Sequence, residues 1–227
     1  MNLKRVQSLL RIAFALVVVC GLVWTAPATA QVVPDTVTVG TVVANGPVID
    51  VPVYVRDVSG TPLGIDQPFG SRIQAFSLKV DYTASPFIQS VTFTRAGITQ
   101  SLTPTFTSSP ASAGTVSLLM TFDETTNLVP FVSNAAVPGN QVGKLTFTFT
   151  PATPPGTVFP LTLDATLTQL GNEGGTMSET VGNGALALVA GSVTVLAVAQ
   201  PESIPTLAGW AMALLAVALT VIVLRRI

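Results

Sequence analysis

Gly143-Lys144-Leu145-Thr146-Phe147-Thr148-Phe149-Thr150 decides the fold class, because apolar residues alternate in it with threonines and a lysine. A period of two puts Leu145, Phe147 and Phe149 on one face of an extended chain and the hydroxyls on the other. Threonine suits a pleated, wet surface. The stretch predicts a half-buried strand with Phe147 in the core.

The same pattern recurs on both sides of it. Val51, Val53 and Val55 alternate with Pro52, Tyr54 and Arg56, and Phe76, Leu78, Val80 and Tyr82 with Ser77, Lys79 and Asp81. Leu161, Leu163, Ala165 and Leu167 alternate with Thr162, Asp164, Thr166 and Thr168. Val37–Val43, Ile88–Thr94, Thr115–Phe122 and Ala185–Val198 read as further strands, which makes about eight. Additional strands are expected near Gln100–Phe106 or Leu128–Val132. Val58–Arg72, with two prolines and three glycines, reads as a loop between strands, and Gly171–Gly175 as a turn. Thr99–Gly114 reads either as an edge strand broken by Pro104 or as a loop. No window between the two ends of the chain has a helical period. The expected fold class is all-β, a single antiparallel sandwich over residues 31–199.

Both ends of the chain are of another kind. Lys4, Arg5 and Arg11 precede or enter an apolar run, Ile12–Trp24, and Ala28-Thr29-Ala30 supplies small residues before Gln31. That is the layout of a secretory signal peptide, residues 1–30, cut after Ala30. At the other end Leu207–Leu224 is 18 residues without a charge, about 27 Å long as a helix at roughly 1.5 Å per residue, enough for a bilayer core. Trp210 suits one interface, and Arg225 and Arg226 form a cytoplasmic stop. Residues 200–206 link domain and tail, and 207–227 form the membrane-spanning segment. The expected location is outside the cytoplasm, either anchored in the inner membrane facing the periplasm or moved to the cell surface.

Ile204-Pro205-Thr206-Leu207, then Trp210, an apolar run and two terminal arginines resemble the IPTL-CTERM sorting tail of Gram-negative bacteria. The resemblance implies that Ile204, Pro205, Thr206 and Leu207 are read by an exosortase-type enzyme in the membrane. The middle of the chain resembles the cohesin domain. The likeness runs through Val48–Val55, Ile73–Tyr82, Ile88-Gln89-Ser90-Val91-Thr92, Gly143–Phe149, Gly156 with Phe159–Leu163, and Gly191–Val195. It implies a jelly-roll sandwich that works by binding. Where the family has aspartate–proline after its tyrosine, this chain has Thr83-Ala84-Ser85-Pro86.

Composition excludes several chemistries. There is no histidine, and the one cysteine, Cys20, lies in the signal segment, so the exported part has no His/Cys metal site, thiol nucleophile or disulfide. Residues 31–203 hold all 11 acids and 5 of the 10 bases, hence a net charge of −6, which argues against nucleic acid as a partner. The acids are spread along the strands and read as solvated side chains. A carboxylate pair for glycoside hydrolysis is the enzymatic alternative. Asp123, Glu124 and Asn127 gather oxygen donors in one turn and are the candidate calcium ligands, without EF-hand spacing. Tyr54 is a candidate sugar-stacking residue. The reading is of an exported, non-catalytic protein with no cofactor beyond that calcium. It binds a protein or a polysaccharide; the alternative is a structural envelope component with no specific ligand.

Overall fold

The computed structural model describes residues 33–196, and the signal segment, the linker and the tail fall outside them. Five strands come first: β1 (Asp35–Val39), β2 (Thr41–Ala44), β3 (Val48–Arg56), β4 (Ala75–Tyr82) and β5 (Ile88–Arg95). After a short 3₁₀ turn, Gly97–Thr99, come β6 (Phe106–Ser108), β7 (Ala111–Ser112), β8 (Thr115–Thr121) and β9 (Asn140–Phe149). The last five are β10 (Thr157–Leu163), β11 (Gln169–Gly171), β12 (Ser178–Glu179), β13 (Leu186–Val189) and β14 (Gly191–Val195).

They form two sheets. One runs β13-β1-β3-β9-β5. The other runs β12-β11-β4-β10-β14-β2, and β4 also carries β8 on its second edge, with β6 and β7 beyond. The expected alternation holds in each long strand: Val51, Val53 and Val55, Phe76, Leu78 and Val80, and Leu145, Phe147 and Phe149 are all buried. Their inner faces meet as the core of the sandwich. Phe147 is at its centre, stacked on Phe149 at 5.8 Å between ring centroids and edge-on to Tyr82 at 5.7 Å. Opposite Val53 and Tyr54 the β3–β9 pairing shifts register, and the extra residue, Val142, is buried next to Gly143.

Three expectations need correction. The sandwich is not wholly antiparallel, because β1 pairs with β13, and β2 with β14, in parallel. The first and last segments run side by side, and each leaves one sheet for the other at its middle, at Gly40 and Ala190. Neither is the single strand that its apolar pattern suggested. A Cβ on Gly40 would lie 3.0 Å from the Pro52 carbonyl oxygen, and one on Gly191 would overlap the Val39 and Gly40 carbonyls. The crossing therefore needs glycine at 191, while Gly40 lies close against Pro52 of β3. Second, β10 ends at Leu163. Asp164 Oδ1 accepts the backbone N–H groups of Thr166 and Leu167, a side-chain turn that stops the strand and leaves Leu167 exposed. Third, Leu128–Val132 is irregular: Val129 and Phe131 are buried, but the backbone bonds locally and to the Gln74 side chain. Thr99–Gly114 contains two short strands, β6 and β7, at the outer edge of β8.

Candidate functional site

The outer face of the larger sheet is built by strand register. Phe106, Thr121, Ala75, Gly171 and Ser178 make one row across five strands, and Ser108, Leu119, Ser77 and Gln169 make the next. Small residues form its floor, so the sheet is hollowed there. The hollow encloses about 310 Å³, with Phe106 on one side and Met177 and Ser178 on the other. Phe106 is 55% exposed although it is a large apolar side chain. Among the described residues no acidic or basic one lines the hollow.

Charge begins one row further along. Lys79 Nζ lies 2.8 Å from Asp164 Oδ2 and 3.7 Å from Asp81 Oδ1. The hydrogen bond to Asp164 lifts the lysine above its ordinary range, and the same bond holds the Asp164 carboxyl below the usual carboxylate range. These charges satisfy one another at the rim. What remains is a nearly neutral, shallow surface with one exposed aromatic, suited to the broad side of a protein partner.

The candidate calcium ligands have separate partners. Asp123 Oδ1 accepts from the Thr125 and Thr126 backbone N–H groups and both hydroxyls. These bonds hold its carboxyl low, that from the Thr125 hydroxyl foremost. Glu124 is buried; its Oε2 accepts from Gly70 N at 2.8 Å, and its Oε1 lies 3.6 Å from Arg72. Asn127 Oδ1 accepts from Thr103 N at 3.0 Å. Among the described residues no group of three or more His, Cys, Asp or Glu side chains is arranged so that it could hold a metal ion. Tyr54 is half-buried on the outer face of the smaller sheet, between Thr38 and Gln141. Ala28, Ala30, Ile204, Pro205, Thr206, Leu207, Trp210, Arg225 and Arg226 lie outside the described residues. So does the expected membrane span, and among the described residues no helix is long and apolar enough to cross a membrane.

The acids were expected to be solvated, yet Asp35, Asp57 and Glu179 are wholly buried. The signal for two of them was present in the sequence. Asp35 has the parity of Val37 and Val39, and Asp57 that of Val53 and Val55, so period two turns both inward.

No protein-family model matches the chain, and no curated protein does. Solved structures do. The CaCohA2 module of Clostridium acetobutylicum, solved in complex with CaDoc0917, is similar over 71% of this chain and 99% of its own, at 20% identity and a TM-score of 0.50. The sixth cohesin of Acetivibrio cellulolyticus scaffoldin B, in complex with a Cel5 dockerin, matches over 72% of this chain and 99% of its own, at 14% identity and a TM-score of 0.47. A non-cellulosomal cohesin from the archaeon Archaeoglobus fulgidus matches over 75% and 96%, at 14% and 0.45. The described residues form a cohesin-like β-sandwich.

Proposed function

We propose that the chain is an exported, non-catalytic binding protein whose larger sheet receives a protein partner on its outer face. The observation that carries this reading is the neutral hollow floored by Ala75, Ser77, Gly171 and Leu119 beside the exposed Phe106. The cohesin-like fold supports it, since the similar CaCohA2 module has been solved in complex with CaDoc0917. The test is a pair of changes at exposed positions, Phe106→Ser with Gln169→Arg. Envelope proteins retained by the immobilised wild-type chain are compared with those retained by the double variant. At least one protein is expected to be lost by tenfold or more, about 1.4 kcal/mol or above, with the melting temperature unchanged. Equal retention, or retention of a polysaccharide alone, removes the protein-partner reading.

The same proposal covers delivery. A signal peptide cut after Ala30 exports the chain, and residues 204–227 hold it in the membrane, where an exosortase-type enzyme reads Ile204–Leu207. Support comes from the order of motif, apolar run and arginines in the sequence. Changing Pro205 and Thr206 to alanine is expected to leave insertion intact, because neither lies in the apolar run. The double variant then stays full-length in the inner membrane while the parent chain is shortened and reaches the surface. Equal mass and location in cell fractions reduce the tail to a plain anchor.

A further inference from the structure

Three buried carboxyls meet where β1 begins, β3 ends and β12 passes. Each has one oxygen engaged by a backbone N–H of the loop after β3. Val58 N donates to Asp35 Oδ1 at 2.8 Å, Leu63 N to Glu179 Oε1 at 2.8 Å, and Ile65 N to Asp57 Oδ2 at 2.9 Å. The other three oxygens, Asp35 Oδ2, Asp57 Oδ1 and Glu179 Oε2, are buried with no donor. The Asp35 and Glu179 carboxyls are neighbours, and the charge of Glu179 acts on Asp35. Two ionised carboxylates are acceptors only, so the donor-free oxygens of this pair are satisfied together only if one of the two carboxyls carries a proton.

Among the described residues no base balances the cluster. The groups facing the pair are Asp57 at the end of β3, Thr61 in the loop, and beyond Asp57 the Asp66 carboxyl, which accepts from Gly60 N at 3.2 Å. Arg56 donates instead to the Ala135 carbonyl, and Arg72 lies against Glu124. The position of β12 makes the pair consequential. This strand is held in its sheet by only two register positions, Leu170↔Glu179 and Gly171↔Ser178. Its flank, Met177 and Ser178, is one wall of the neutral hollow.

We propose that one proton shared by Asp35 and Glu179 is a latch that fastens β12 and the loop 57–66 to the start of β1, and that rising pH opens it. Burial raises both carboxyls, and the Glu179 charge pushes Asp35 further, to about 9. In the unfolded chain both ionise near pH 4. Between those limits the folded state binds the extra proton, so the latch contributes fully below about pH 4 and is lost as the pH rises through about 9. Because its wall is fastened by the latch, the hollow is closed-sided in acid and opens on that side in alkali.

Amide exchange of the full chain in mild detergent reads this directly, after correction for the intrinsic pH dependence of exchange. Protection at Leu63, Ile65 and β12 is expected to fall about tenfold per pH unit across the titration, while β9 stays protected. In Asp35→Asn the amide N–H can donate to Glu179 and the amide oxygen still accepts from Val58 N, so the part of the slope set by the shared proton disappears and only that of Asp57, which burial also raises, remains. Glu179→Gln makes the same test from the other partner should the first variant not fold. Equal slopes in variant and wild type, or β9 opening in step with β12, overturn the latch. A wild-type melting temperature raised by millimolar calcium at pH 8, and not raised in either variant, also overturns it, because a cation and not a proton would then hold the carboxyls.

Discussion

Gly191→Ala is expected to cost about 3 kcal/mol or more, or to prevent folding outright. The methyl group would overlap the carbonyl oxygens of Val39 and Gly40, which are backbone atoms and have no rotamer by which to yield. Relief requires the first and last segments to move apart. Those segments pair in both sheets, from Asp35↔Leu186 to Thr38↔Val189 and from Thr41↔Ser192 to Ala44↔Val195. A shift at the crossing therefore disturbs two ladders at once. Gly40→Ala is the control. Its nearest obstacles, at 3.0 Å, include the Pro52 ring as well as a carbonyl, and its cost falls in the milder range of about 1–3 kcal/mol. Denaturant titration of the two variants ranks them. Equal, small losses would mean that the segments separate at the crossing without strain.

The second large effect is at the centre of the core. Phe147→Ala is expected to lose about 3–5 kcal/mol in the same titration, the range for a buried aromatic reduced to alanine. Phe147 is 0% exposed, and its neighbours Phe149 and Tyr82 belong to opposite sheets. The void left behind is walled by strands that pair along their whole length, so it collapses little. A loss below about 1 kcal/mol would show that the space is refilled by neighbouring rings.

How far the sequence carried can be followed strand by strand. Where a strand lies between two others and one of its faces is buried, as in β3, β4 and β9, alternation gave both its existence and its facing. It failed at Leu161–Leu167, where the pattern continues through Asp164 although the Asp164 side chain ends the strand. It also failed to show that the first and last strands change sheets, because an apolar run does not name its partners. Pairing depends on which segments are brought together in space, and Gly40 and Gly191 are unremarkable glycines until the other strand is in place. The hollow was hidden for the same reason: Phe106, Thr121, Ala75 and Gly171 become neighbours only through register. Asp35 and Asp57 are a different case: their parity points inward, and only the general preference of acids for solvent speaks against it.

The side-by-side course of the first and last segments has a mechanical consequence. They point the same way, so residue 33 lies at one end of the sandwich and residue 196 at the other. A pull that draws these ends apart slides the two segments along each other in shear. The ladder bonds of β1 with β13 and of β2 with β14 then bear the load together instead of unzipping one after another. Such a joint yields only when many bonds fail at once.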